Sequence, residues 1–115
     1  ELIVDGVHVH PATVGLTLKA KGLSRVVFVS NGTEGMGLED GVYELDGHVL
    51  RVEKGAVYED NTLMGSATNL KDGVISLSRK LNIPLEDLWI TASRAPLESV
   101  GLDIDLPLCT VSDSY

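Results

Sequence analysis

Three histidines, one cysteine and a scatter of carboxylates are the side chains of this 115-residue chain that could do chemistry. His8 and His10 form a His-x-His pair, and on a strand both would share one face. Two ligands alone do not hold a divalent ion, which takes at least one more from the protein. His8 follows an apolar run and precedes a helix start, a place where local backbone could satisfy the ring as well as a ligand could. Cys109 is the single cysteine. That excludes an intramolecular disulfide and a four-cysteine zinc site, and with no motif around it Cys109 reads as inert. His48 reads as an exposed strand residue, and Trp89, on an apolar helical face, as core.

The elements that must position these residues follow from the hydropathy pattern. Leu2-Ile3-Val4 reads as a strand that breaks at Asp5-Gly6 and resumes at Val7 and Val9. Pro11 then opens a helix, where its missing N–H costs nothing. Val14 and Leu18 fall on one face of it. Gly15 weakens it by up to ~1 kcal/mol relative to Ala, and Gly22 ends it after Lys21. Val26 to Val29 is apolar without alternation, the pattern of a strand buried on both faces of a parallel sheet. Strand, helix and strand make one βαβ unit, and Asn31 stands just past its second strand.

Ser30 to Gly41 contains four glycines and reads as a long, mobile loop. Val42–Leu45 and His48–Val52 flank Asp46-Gly47, the pair preferred in a two-residue hairpin turn. Ala56-Val57-Tyr58 reads as a further short strand before a turn at Glu59-Asp60-Asn61. Leu63-Met64-Gly65 reads as a loop leading into the next helix. Asn69 caps that helix, with Asp72 completing a partial capping box and Leu70, Val74, Leu77 and Leu81 along one stripe. Pro84 opens a second helix carrying Leu85, Leu88, Trp89 and Ala92, and a short third one runs from Pro96 to Val100. Residues 103–115 show no period.

Composition sets the outer bounds. The length suits one domain over residues 1–115, and such a chain buries roughly two-thirds of its extended surface. The net charge of −8 disfavours nucleic acid and anionic membrane as partners, since both need a cationic face. No apolar run is long enough to span a bilayer, and a cytoplasmic location is the expectation.

Asp5-Gly6-Val7-His8-Val9-His10-Pro11, the helix end Leu18-Lys19-Ala20-Lys21-Gly22, Val26 to Val29 and Gly37-Leu38 to Gly41 recur together with the hairpin. Asp60-Asn61-Thr62-Leu63-Met64-Gly65-Ser66 and Ala92-Ser93-Arg94-Ala95-Pro96 complete the set. In this order and spacing, over about residues 1 to 102, the chain resembles N-acetylglucosamine-6-phosphate deacetylases, metal-dependent hydrolases of the amidohydrolase superfamily. The resemblance implies an α/β fold: a partial TIM barrel made of the last two β/α units, with an inserted β-hairpin and C-terminal helices. The chain would then be a C-terminal fragment of an amidohydrolase-like barrel, which typically needs about 250 residues. The family reaction is hydrolysis of N-acetylglucosamine 6-phosphate to glucosamine 6-phosphate and acetate, in amino-sugar catabolism.

The resemblance also assigns roles. Barrel active sites lie at the carboxyl ends of the strands, where His8 and Asn31 fall. Asp5, Gly6, Val7 and His8 would contact the phosphorylated amino sugar, His8 donating to a sugar or phosphate oxygen. Leu63, Met64 and Gly65 would close over it through backbone groups. In the superfamily a His-x-His pair can ligate metal, but the family takes its ligands from earlier strands, so His8 and His10 are expected to hold none. Zinc or a similar divalent metal belongs to the complete family enzyme. Asn31 stands where the family has the acid/base Asp that exchanges protons with the metal-bound water and the leaving amine. An amide has no proton to exchange near neutral pH. Glu34 could bring a carboxylate nearby, although an acidic loop residue is usually only solvated.

The expectation is therefore a chain inactive by itself, completed by the remainder of the barrel or by a second copy in a homo-oligomer. The alternative is a non-catalytic self-associating or binding module derived from the same family, pairing through exposed strand edges. Asp103-Ile104-Asp105-Leu106 resembles the first strand of the small β-sandwich that family members append.

Overall fold

The computed structural model describes residues 1–107, a mixed α/β arrangement with two cores. β1 (Leu2–Ile3) and β2 (Phe28–Val29) pair in parallel, Leu2 opposite Phe28 and Ile3 opposite Val29. Between them runs α1 (Pro11–Lys21), entered through Pro11 and left at Gly22, followed by a 3₁₀ turn at Leu23–Arg25. The expected βαβ unit is present, with strands of two residues where the apolar runs suggest three and four. Each strand has a single partner among the described residues, so hydrogen bonding stops short. Val26 is extended ahead of β2, and the Leu2 N–H donates to the Val27 carbonyl at 2.9 Å.

α2 (Leu70–Leu81) closes over this pair. The Asn69 side chain accepts the Asp72 N–H at 2.9 Å, and Asn82 ends the helix in the left-handed region. Gly73 explains how closely α2 approaches: a Cβ there would lie 2.7 Å from the Val4 carbonyl oxygen. The first core gathers Val4, Val14, Leu18, Val26, Phe28, Val74, Leu77 and Leu88, with Trp89 packed against it as expected.

The second core belongs to an antiparallel meander, β3 (Gly41–Leu45), β4 (His48–Glu53), β5 (Ala56–Glu59) and β6 (Thr62–Ser66), in chain order. The expected hairpin is therefore the first half of a four-stranded sheet. Asp46-Gly47, Lys54-Gly55 and Asp60-Asn61 all have positive φ at both residues, the geometry that lets a two-residue turn match the strand twist. The expected loop at Leu63-Met64-Gly65 is corrected to a strand. Thr-Leu-Met-Gly-Ser carries no alternation to announce it. Its pairing comes from β5, with a register shift at Val57/Tyr58. Leu50, Val52, Val57 and Ala67 form the small core beneath the sheet.

α3 (Leu85–Leu88), a 3₁₀ turn (Trp89–Ala92) and α4 (Arg94–Ser99) end the fold. The helix expected from Pro84 to Ala92 is thus divided, and the last helix starts ahead of Pro96. Residues 102–107 form no strand, so the sandwich-like strand expected at Asp103–Leu106 is not made among the described residues. Cys109 lies outside them. No helix among the described residues is long and apolar enough to cross a membrane.

Candidate functional site

The parallel pair ends with two loops leaving the same edge. Asp5 to His10 follows β1 and Ser30 to Asp40 follows β2, so the two segments carrying the expected site residues emerge side by side.

The first loop is organised by Asp5. Its Oδ1 accepts the backbone N–H groups of Val7 and His8, both at 2.9 Å, and its Oδ2 receives His8 Nδ1 at 2.6 Å. Gly6 makes the tight turn possible with φ +80, a region other L residues rarely occupy. The Asp5 side chain is only 1% exposed, whereas His8 keeps 16%. Burial alone pushes the Asp5 carboxyl up, but the His8 and Val7 amides and the His8 imidazole outweigh it and hold the group below the usual carboxylate value. Of the four expected contact residues, His8 therefore presents a side chain with a nitrogen to spare. Asp5 is buried behind it with all its bonding directed inward. His10 is occupied elsewhere: its Nδ1 accepts the Ala12 N–H at 3.1 Å and caps α1.

The second loop is tied down along its length. The Met36 N–H donates to the Thr33 carbonyl at 2.9 Å and the Gly37 N–H to the Ala67 carbonyl at 3.0 Å. Asn31 sits at its start with φ 51, a conformation that Asn and Asp adopt more readily than most residues. Its side chain is exposed, and its carbonyl accepts the Ser66 N–H at 3.0 Å. Gly32 bridges Ser66 in parallel fashion. A Cβ on Gly65 would stand 2.9 Å from the Asn31 carbonyl oxygen and collide with the Thr33 methyl group. The structure thus sets Gly65, of the Leu63-Met64-Gly65 segment, against the Asn31 backbone, with Gly65 buried and Met64 exposed. Ser66 was not singled out by its sequence context. It is fully buried, accepts the Thr68 N–H and donates to the Thr68 carbonyl, both at 3.1 Å. It anchors the junction of β6 with the Asn31 loop.

A cleft of about 210 Å³ opens on the sheet side of the same loop, lined by Thr33, Glu34, Leu45, His48, Glu59 and Met64 among others. Neither His8 nor Asn31 lines it. Glu34 belongs to this cleft, on the side of His48, whose Nδ1 lies 2.7 Å from Glu59 Oε1. His48 is exposed as expected, and its hydrogen bond to Glu59, followed by the negative charge of that residue, raises its pKa.

A divalent metal does not fit the described residues. Among the described residues no three His, Cys, Asp or Glu side chains cluster in a way that could hold one. The His8 and His10 Nδ1 atoms are engaged by Asp5 and by the α1 backbone.

Comparison with known proteins gives the arrangement a context. No protein-family model matches the chain. It is 36% identical over 107 residues to the N-acetylglucosamine-6-phosphate deacetylase of Vibrio furnissii, covering 92% of this chain and 27% of the relative. It is 32% identical over 103 residues to that of Bacillus subtilis, covering 89% and 26%. The crystal structure of N-acetylglucosamine-6-phosphate deacetylase from Pasteurella multocida superposes with a TM-score of 0.75 at 28% identity, covering 89% of this chain and 27% of that one. The chain resembles these deacetylases along nearly all of its described length, and it spans about a quarter of the length of these two curated relatives.

Proposed function

We propose that this chain forms the substrate side of an N-acetylglucosamine-6-phosphate deacetylase site, built on the last two β/α units of a TIM barrel with the β3–β6 meander inserted between β2 and α2. The observation that supports this most is the likeness to the Pasteurella multocida deacetylase, because it extends over 89% of this chain. In this reading β1 and β2 are neighbouring barrel strands, and their carboxyl ends face the ligand as in other barrels.

The residues divide the task by their chemistry. His8 offers its one unengaged ring nitrogen to an oxygen of the phosphorylated amino sugar. Leu63, Met64 and Gly65 offer backbone groups from β6, beside the Asn31 loop. Asn31 occupies the place from which a proton would be moved, and an amide holds geometry there without exchanging a proton. The family metal would supply the hydrolytic chemistry when bound, and in this reading its ligands come from earlier barrel strands rather than from the residues described. The chain alone is therefore proposed to bind without hydrolysing.

The test is acetate release from N-acetylglucosamine 6-phosphate with zinc present, for the chain and for Asn31→Asp. Neither is expected to exceed the background rate, since a carboxylate at position 31 without a metal-bound water has nothing to deprotonate. Metal-dependent acetate release from either protein would overturn the reading.

A second reading rests on the two-stranded sheet, where β1 and β2 each have an unpaired edge among the described strands. Two strands are too few for an independently stable sheet, and open edges pair with further chain. The partner is either the remainder of a barrel or another copy of this chain in a homo-oligomer. Light scattering on a size-exclusion column separates these: a discrete dimer with a cooperative melt favours self-association, and a monomer or polydisperse material favours the barrel.

A further inference from the structure

The Asp5 carboxylate is buried and bonded, yet the proposed chemistry gives it no contact with ligand. We propose that Asp5 is a positioning residue that holds His8 in the Nδ1–H tautomer, so that Nε2 is the single ring nitrogen open to a ligand and meets it as an acceptor while the ring is neutral. This rests on the reading of His8 as a sugar-phosphate contact and refines it.

The geometry carries the inference. An ionised carboxylate only accepts hydrogen bonds, so the 2.6 Å contact between Asp5 Oδ2 and His8 Nδ1 requires the proton to sit on Nδ1. The other carboxylate oxygen is occupied by the Val7 and His8 amides. These two bonds fix the carboxylate against the same turn that carries the ring, so the ring orientation and the tautomer are set together. A free neutral imidazole can carry its proton on either nitrogen, and the partner of one nitrogen decides the role of the other. A neutral His8 would then accept a sugar hydroxyl, and it would donate to a phosphate oxygen only as the cation. That replaces the simpler expectation of a donating imidazole.

The experiment is ¹⁵N spectroscopy of the histidine rings in the intact chain, under mildly alkaline conditions that keep the rings neutral. The native ring is expected to show protonated Nδ1 and bare Nε2. In Asp5→Asn the amide oxygen stays with the two backbone N–H groups and the amide nitrogen faces the ring. The ring should then change to bare Nδ1 and protonated Nε2, the wrong-tautomer effect known from other carboxylate–histidine pairs. A purely structural Asp5 would lower stability without exchanging the two nitrogens. A native His8 protonated on Nε2, or an Asp5→Asn ring unchanged from native, would overturn the proposal. If Asp5→Asn loses its folded spectrum, the native ring state decides alone.

Addition of glucosamine 6-phosphate separates the two levels. A shift confined to native His8 Nε2, with Nδ1 still protonated, supports both the positioning and the ligand reading. An Nδ1–H ring that the sugar phosphate leaves unmoved supports the positioning and overturns the ligand reading.

Discussion

The unit of β1, α1, β2 and α2 and the meander β3–β6 differ in where their cohesion comes from. The first core joins Val4, Phe28, Val74 and Leu88, residues drawn from opposite ends of the described chain. In the meander every strand pairs with its neighbour in sequence through a two-residue turn, over a core of only four buried residues. Contacts between distant residues carry the larger loop-closure cost, and in return the first unit buries the bulkier side chains, Phe28 and Leu88 among them. The meander is local and lightly filled. The candidate site straddles the two, with His8 on the first and Met64 on the second, and Asn31 where they meet.

Replacing Phe28 by Ala makes the strongest test of this contrast. A fully buried Phe costs about 3–5 kcal/mol when truncated to Ala, and Phe28 is 1% exposed. Val57→Ala in the meander removes two buried methyl groups, for about 2 kcal/mol at roughly 0.8 kcal/mol per group plus a cavity contribution. Trp89 packs on the first core and reports its unfolding in urea by fluorescence, while amide exchange in β4–β6 reports the meander. Phe28→Ala is expected to shift both signals, and Val57→Ala to open the meander with a smaller shift at Trp89. Equal shifts from both variants would make the two regions one cooperative unit and erase the distinction.

Two glycines sharpen the comparison at a lower cost. Alanine in mid-helix normally gains up to ~1 kcal/mol over glycine. At Gly73 the new methyl would meet the Val4 carbonyl at 2.7 Å, so Gly73→Ala is expected to lose about 1–3 kcal/mol, the usual range for overpacking. At Gly65 the methyl would strike Thr33 and the Asn31 carbonyl. Gly65→Ala should loosen exchange at the Ser66 amide while leaving the Trp89 transition near its native midpoint. A stabilised Gly73→Ala protein in urea would show that α2 rides higher over β1 than this packing requires.

Legibility followed the same divide. α1 and α2 were readable because Pro11, Gly22 and Asn69 announce their ends and Val14, Leu18, Val74 and Leu77 mark a stripe. The first hairpin was readable because Asp46-Gly47 is an unambiguous turn. β6 was not: Thr62–Ser66 has no alternation, and its place depends on β5 and on the backbone of Asn31. The shortness of β1 and β2 also lay beyond the sequence, since an apolar run does not reveal how many partners a strand finds. At the site, the residue set Asp5–His8, Asn31 and Leu63–Gly65 came from a resemblance between ordered motifs. Whether a side chain is buried, bonded locally or open to solvent came only from the structure, which turned Asp5 inward and gave His10 to a helix cap. The spacing Asp-x-x-His was the available signal for the first of these, because a carboxylate reaching the amides two and three residues ahead forms an Asx-type turn.

Acid should act on the first region before the meander. The folded-state pKa of Asp5 is lowered, so its contribution is complete above the unfolded value near 3.8 and disappears as pH falls through the folded one. The stability gap between the native chain and Asp5→Asn, measured by urea unfolding, should stay level above about pH 5 and narrow below about pH 4. A gap independent of pH would mean that the carboxylate charge does not contribute to the turn.

The meander carries the opposite and smallest dependence. The folded-state pKa of His48 is raised by Glu59, so the pair stabilises β4 against β5 fully below the unfolded value near 6.5. That contribution is lost as pH rises through the folded pKa. Both groups are solvent-exposed to a degree that leaves the pair screened, and exposed ion pairs contribute little. The expected result is therefore a slight excess of thermal stability over His48→Gln near pH 6 that fades in mild alkali and weakens with added salt. Trp89, on the other core, should register almost none of it. If Trp89 follows the His48 titration in full, the charge at the cleft is coupled across the Ser66–Asn31 junction, and the two cores respond as one.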